Sequence, residues 1–350
     1  MAQDVRFTNA VDGALRDFLA RRHAVVVADT NTRTHCLPLL PALADSPVIA
    51  IEAGERHKNL ASLEQVWQGL TDCHATRSTV AVCLGGGTVT DLGGFAAATF
   101  KRGLPAVNVP TTLLSAVDAA VGGKTGINFG GLKNQIGAFA PAELVVVSTM
   151  FFPTLPEREF LSGYAELLKT ALLSGEEDFD RATDADPARL RDGLGGEHLP
   201  DLLRRAVEFK MRIADEDPYD RGPRHALNLG HTVGHAFEHL AFTRRQPVEH
   251  GYAVAWGLVA EAVVARLQTG FPSECLYRLA RFVGEHYPVM NITCDDYPAL
   301  ISAMKSDKKS LHGEINCTLP TAPGHYLTDV AVGQKQMTEA LDIFRDLMGI

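Results

Sequence analysis

The sequence predicts an α/β fold: an N-terminal domain on a parallel sheet, followed by an all-α C-terminal domain. Three observations carry this. The first 150 residues alternate short β-branched runs with helical patterns. Those runs are continuously apolar, as strands covered on both faces are. After about residue 152, long helical periodicities take over.

Residues 24–29 (AVVVAD) and 48–53 (VIAIEA) read as strands, with a helix-like RTHCLPLLPALA between them. LASLEQVWQGLTDC (60–73) has helical spacing. TVAVCLGGG (79–87) is a strand running into a glycine turn, and VTDLGGFAAATF (89–100) follows as a helix. AVNVP (106–110) and ELVVVS (143–148) are further strands. Such alternation argues for a parallel sheet covered by helices. The proline-containing STMFFPTLPE (148–157) marks the boundary and divides the chain into domains 1–152 and 153–350. Beyond it, EREFLSGYAELLKTALL, PDLLRRAVEFKMRIADE, RHALNLGHTVGHAFEHLAF, GYAVAWGLVAEAVVARLQ, ECLYRLARFVGEHY and QMTEALDIFRDLM read as helices. GEINCTLPT (313–321) is one short strand or hairpin arm, and the polar 174–198 stretch is exposed loop and helix. A cleft between two such domains is a common ligand site.

Composition excludes several function classes. Hydrophobic residues make up 46% and charged residues 21% of the 350, as in ordinary globular chains. No apolar run reaches about 18 residues, so no membrane span is expected. The start, MAQDVRFTNAVDG, does not read as a signal peptide. The six cysteines are scattered without a CxxC pair, which fits a reducing cytoplasm. The net charge of −9 and the lack of a dense basic run argue against nucleic-acid binding. An anionic small substrate then requires cations gathered locally.

Arg224 to His235 (RHALNLGHTVGH) is the most informative stretch. Arg224, Asn228, His231 and His235 stand at offsets 0, 4, 7 and 11, which share one face of a helix. A cation, an amide and two imidazoles then occupy a stripe that is normally apolar. His231 and His235 form an HxxxH pair, without the general-base Glu of HExxH sites. GYAELLKTALL (163–173) sets Glu166 and Lys169 three apart in an apolar helix, and His250 opens another apolar helix in VEHGYAVAWG. Glu166, His231 and His250 thus offer N and O ligands from three helices, the set of an open catalytic zinc site.

Other motifs are less specific alone. GGGTVTD (85–91) joins a strand to a helix, and its glycines admit a phosphate to the helix N-terminus; a tight turn would look the same. Thr111 and Thr112 precede a helical run and either cap it or bond a ligand. Gly122-Gly123-Lys124 and Leu132-Lys133-Asn134 set two lysines beside flexible backbone, as an anion site or as a solvated loop. SDKKS (306–310) carries Lys308 and Lys309, by default a solvated charge cluster.

Taken in order, GGGTVTDLGGFAAATFKRG, VPTTLLSAVDAAVGGKTGIN, LKNQIGAF, SGYAELLK, ALNLGHTVGHAFE, HGYAVAWG and SDKK resemble the 3-dehydroquinate synthases of the sugar-phosphate cyclase family. The resemblance runs from about residue 23 to 320. It implies a Rossmann-like N-terminal domain, an α-helical C-terminal domain and an active site between them. It implies NAD+ held by Gly86, Gly87, Asp91, Thr111 and Thr112, with Lys124 and Lys133 nearby and Asp29, Asn31, Glu55, Lys58, Thr154, Leu155 and Glu159 in support. It implies Zn2+ or Co2+ on Glu166, His231 and His250. The implied substrate-binding set is Asp118, Lys124, Lys133, Asn134, Lys169, Lys210, Arg224, Asn228, His235 and one of Lys308 or Lys309.

The implied activity is that of a carbon–oxygen lyase of the shikimate pathway. It converts 3-deoxy-D-arabino-heptulosonate 7-phosphate to 3-dehydroquinate and phosphate by transient oxidation, elimination, re-reduction, ring opening and aldol closure. Lys169 and His235 are assigned to proton transfer and alcohol activation, with Lys124, Arg224 and Asn228 completing the catalytic set. A homodimer without membrane or nucleic-acid partners is implied too. Two rivals share the architecture: cyclases making 2-deoxy-scyllo-inosose or valiolone-type products, and polyol dehydrogenases of the glycerol dehydrogenase type.

Overall fold

The structure, a computed structural model, describes residues 3–306 and 314–350. These form two compact units, 1–156 with 188–207, and 157–187 with 208–350.

The first unit contains strands β1 (Asp4–Phe7), β2 (Ala24–Asp29), β3 (Val48–Ile51), β4 (Val80–Gly85), β5 (Ala106–Pro110), β6 (Lys124–Phe129), β7 (Leu132–Phe139) and β8 (Leu144–Val147). Its helices include α1 (Val11–Leu19), α2 (Thr30–His35), α3 (Leu60–Asp72) and α4 (Gly87–Thr99). The main sheet runs β1-β8-β5-β4-β2-β3, and every pairing in it is parallel. β2, β4 and β8 are buried along their whole length. Alternate side chains feed two separate cores: Val25 and Val27 pack with residues of α3 and α4, Val26 and Ala28 with residues of α1. Both faces are therefore covered, as the apolar runs require.

The chain leaves β2 for β3 at one edge, then returns to β4 on the other side of β2. This reversal makes a crevice beyond the carboxyl ends of β2 and β4, where such sheets bind ligands. The register aligns Ala28 with Leu84 and Gly85 with Pro110, so Asp29, Gly85 and Pro110 end their strands side by side.

One local expectation needs correction here. RTHCLPLLPALA is not one helix. α2 ends at His35, and Pro38 and Pro41 each sit in a separate 3-10 turn, because proline supplies no N–H for a continuing helix. The Lys124–Asn134 region, open in sequence between an anion site and a solvated loop, is a hairpin with β7 largely exposed: β6 and β7 pair antiparallel around Gly130-Gly131, both at positive φ. That is the backbone of a two-residue hairpin turn. Gly126 and Gly137 face each other so closely that a Cβ on either would strike the partner's backbone.

The second unit is largely helical: α5 (Glu157–Ser174), α6 (Glu176–Asp184), the end of α8 (His198–Glu216, which follows α7, Pro187–Arg191), α9 (His231–Thr243), α10 (His250–Gln268), α11 (Ser273–His286), α12 (Tyr297–Lys305) and α13 (Gln334–Met348). β9 (Ile315–Ala322) and β10 (His325–Val332) form an antiparallel ribbon among them. α10 is buried on all sides from Ala253 to Ala265 and packs against α5, α9, α11, α13 and β9. A helix apolar all round belongs at such a centre.

The helix expected across Arg224–His235 is broken. Pro223–Asn228 is a 3-10 turn, Leu229 is extended, Gly230 takes φ +78°, and α9 begins at His231. The left-handed backbone at Gly230 ends any continuing helix there, and the chain lies so close to α10 at this point that a Cβ on Gly257 would strike the Gly230 carbonyl. Arg224 and Asn228 therefore share no helix with His231 and His235.

Candidate active site

In the first unit, several of the candidate cofactor residues meet around the start of α4; Glu159 lies in the second unit, on α5. Gly86 is the N-cap of α4 and Gly87 its first residue, and no side chain caps that helix start. The first N–H groups of such a helix suit an anion. A Cβ on Gly86 would lie 3.0 Å from Thr112 Cγ2, which places Thr112 over the turn. Thr112 Oγ1 accepts from Ser115 N at 3.1 Å, and Thr111 is buried beside it. Lys58, 3% exposed, pairs with the Asp91 carboxylate and donates to Asn134 Oδ1 at 2.6 Å. Burial pushes the Asp91 carboxyl up to about 6, while the Lys58 ammonium pulls against it. Glu55 accepts from Asn128 Nδ2 at 2.9 Å and from Thr88 Oγ1 at 3.3 Å. Asp29 caps α2 through Thr32 N at 2.8 Å, and Asn31 lies exposed on that helix. Lys124 and Lys133 stand exposed on β6 and β7, and Asp118 lies in the π-helical turn Ser115–Ala119. Thr154 and Leu155 follow one another at the 3-10 turn Phe152–Thr154.

In the second unit, three helices bring Glu166 (α5), His231 (α9) and His250 (α10) together. Glu166 Oε1 lies 3.3 Å from Nε2 of each histidine, and Oε2 lies 2.5 Å from Lys169 Nζ. Burial alone would raise the Glu166 carboxyl, but Lys169 and the imidazoles outweigh it and hold it well below the usual carboxylate range. Glu166 is therefore ionised. His231 Nδ1 faces Leu229 O at 3.0 Å, and His250 Nδ1 faces Glu238 Oε2 at 3.2 Å. Each imidazole thus uses Nδ1 for an outer partner and presents Nε2 to the centre. Burial would lower the His250 pKa, but the Glu166 and Glu238 carboxylates win and raise it to about 9.

This set fits a divalent metal. Ligands about 2.0–2.1 Å from a tetrahedral zinc lie about 3.3–3.4 Å apart. Both Glu166–imidazole separations have that value. Two Nε2 atoms aimed at one carboxylate oxygen need a cation or a proton between them. Glu238 is a partner that sequence reasoning missed; its signal was its place seven residues after His231 and three after His235. His235, Glu238 and His250 also lie close enough to share an ion. Since His250 Nδ1 already faces Glu238, we read this second group as the outer support of the first. His235, one turn after His231 on α9, sets its ring 5.5 Å from that of His231 and 6.0 Å from that of His250.

Three buried cations stand in the same unit: Lys169, Lys210 and Arg224, at 2%, 6% and 3% exposure. Buried lysine and arginine are uncommon without a partner of opposite charge. Arg224 sits on the 3-10 turn that packs against α5 and the β9–β10 ribbon, and Asn228 ends that turn. Asp217, another residue missed at first, accepts from the backbone N–H groups of Arg221 (2.8 Å), Gly222 (2.7 Å) and Arg224 (3.3 Å). We expect Asp217→Asn to loosen Arg224 and raise KM for a carboxylate-bearing substrate about tenfold. Steady-state kinetics should show kcat less affected. Lys308 and Lys309 lie outside the described residues.

His225, next to Arg224, pairs with Asp329 at 2.8 Å. The hydrogen bond to Asp329 raises the His225 pKa. Its stabilising effect is therefore full below the unfolded value of about 6.5 and is lost as pH rises through the raised folded value. For a partly exposed pair it amounts to less than about 1 kcal/mol. Asp329→Asn should lower the melting temperature slightly at pH 5.5 and leave it unchanged at pH 9.

The family model for the 3-dehydroquinate synthase N-terminal domain matches residues 48–162, and the model for its C-terminal domain matches 163–310. A 3-dehydroquinate synthase from Parabacteroides distasonis is 42% identical over 99% of both chains. One from Pyrococcus furiosus is 38% identical over 84% of this chain and 83% of its own. Among solved structures, a 2-epi-5-epi-valiolone synthase from Streptomyces hygroscopicus subsp. jinggangensis, with NAD+ and Zn2+ bound, matches with a TM-score of 0.88 and 26% identity over 99% of this chain and 97% of that one.

Proposed function

The chain belongs to the 3-dehydroquinate synthase family, and from that premise we propose that it converts 3-deoxy-D-arabino-heptulosonate 7-phosphate to 3-dehydroquinate and phosphate, using NAD+ and Zn2+ or Co2+. One observation carries the reading: an ionised, buried Glu166 with two imidazole Nε2 atoms at zinc-ligand spacing, in a unit that also buries three cations.

When bound, the metal would supply a Lewis acid and NAD+ a reversible hydride acceptor. The chain's own residues do the rest. Glu166, His231 and His250 would hold the metal, with Leu229 O and Glu238 fixing the histidine tautomers. Gly86, Gly87 and the uncapped start of α4 would receive the dinucleotide, beside the Lys58–Asp91 pair. Arg224, with its planar fork, suits a carboxylate, and the lysines suit phosphate oxygens. Lys169, tied to Glu166, keeps an ammonium beside the metal ligands. His235 places an imidazole one helical turn from His231, where it can move a proton.

Purified protein offered the heptulosonate phosphate, sedoheptulose 7-phosphate and glucose 6-phosphate separately tests the substrate. Phosphate release from the first alone is the expected result. Release only from the sugars that lack a carboxylate would favour a valiolone or inosose cyclase. The reading extends to a cytoplasmic location, consistent with six unpaired cysteines, and, by the family resemblance alone, to a homodimer; no described helix is long and apolar enough to cross a membrane.

A further inference from the structure

Helix α9 starts with residues that cannot cap it. Gly230, its N-cap, has no side chain, and Val233, its third residue, has no polar one. In a capping box, the N-cap side chain serves the third residue's N–H, and the third side chain serves the N-cap N–H. Here a single carboxylate from another helix serves both. Glu261 on α10 is fully buried; its Oε2 accepts from Gly230 N at 2.7 Å and its Oε1 from Val233 N at 3.0 Å. The close crossing of α9 and α10 at Gly230 and Gly257 is what brings Glu261 within reach.

The two bonded N–H groups bracket His231. Gly230 follows Leu229, whose carbonyl faces His231 Nδ1 at 3.0 Å. Glu261 thus fixes the backbone that fixes the ring: Nδ1 carries the proton toward Leu229 O, and Nε2 is turned toward Glu166. The positive end of α9 offsets the cost of burying this carboxylate. α10 has a lighter version of the device, since Ser162 Oγ on α5 accepts from Gly251 N at 3.1 Å, beside His250.

We infer that Glu261 is a positioning residue for His231, setting the orientation and tautomer of that metal ligand from a neighbouring helix. This rests on the reading that Glu166, His231 and His250 hold a divalent metal. The test is a zinc titration of metal-free protein against a competing chelator, with 15N spectra of its histidines. Glu261→Gln keeps the shape but turns an amide NH2 against one of the two N–H donors. It should bind zinc about 10- to 100-fold more weakly, the usual cost of losing an outer partner. The His231 ring should lose its single Nδ1–H tautomer. Tyr297→Phe removes a hydrogen bond to Asp342 on α13, outside the site; it should lower stability while leaving zinc affinity and the His231 tautomer unchanged. If Glu261→Gln does not fold, Glu261→Asp carries the comparison, keeping the charge but shortening the reach. Wild-type zinc affinity with an unaltered His231 tautomer in the variant would overturn the inference alone. A wild-type chain that binds no zinc would overturn the reading of the site and the inference together.

Discussion

Replacing His231 with alanine should remove the metal and cost about 1000-fold or more in kcat, while the chain still folds. A bound Lewis acid contributes several kcal/mol to such chemistry, and each 1.36 kcal/mol is about tenfold in rate. His231 is a better ligand to remove than Glu166, its side chain being 14% exposed against 1%, and than His250, whose loss would also strand the Glu238 carboxylate; it opens α9, where alanine is tolerated. Glu166→Ala is a poorer test. It would leave the Lys169 ammonium, 2% exposed, without its carboxylate, and breaking a buried pair this way costs about 3–5 kcal/mol of stability. Metal analysis, circular dichroism and turnover, measured together, check the expectation for His231→Ala. Full activity in a metal-free, folded variant would end the metal assignment.

Gly86→Val should weaken NAD+ binding about 100-fold, or roughly 2.7 kcal/mol, and leave metal content unchanged. The argument rests on space rather than backbone strain. Gly86 has φ −74° and ψ −171°, an extended conformation open to any residue. Its Cβ, however, would lie 3.0 Å from Thr112 Cγ2, and the two methyl groups of valine would fill the approach to the first N–H groups of α4. Calorimetric titration with NAD+ checks this. Normal NAD+ affinity in the variant would mean that the dinucleotide does not use this turn.

Much of this was legible in the chain itself. Continuous apolar runs announced β2, β4, β5 and β8, because strands buried on both faces need no alternation. The grouping of Glu166, His231 and His250 was legible because Glu166 interrupts an apolar helix and His250 opens another. What escaped depends on contacts between residues far apart in sequence. The break before α9 lies at the left-handed Gly230, packed against Gly257, and local periodicity registers neither. The β6–β7 hairpin carried a turn signal in Gly130-Gly131, but the glycines and lysines around it also looked like a loop. Glu238 lies among other polar residues of α9, and Glu261 is a lone carboxylate in the apolar α10; only the crossing of the two helices brings each to its partner. Lys58, Asp91 and Asn134 were each singled out, yet their joining depends on the fold.

The most direct measurement is a single reaction: zinc-loaded protein, excess 3-deoxy-D-arabino-heptulosonate 7-phosphate and NAD+ at a small fraction of the substrate, with phosphate and absorbance at 340 nm followed together. The account predicts many phosphates released per NAD+ and no net NADH, because the hydride returns in each cycle. Release that stops at one phosphate per NAD+, with NADH accumulating in step, would contradict it and mark a dehydrogenase.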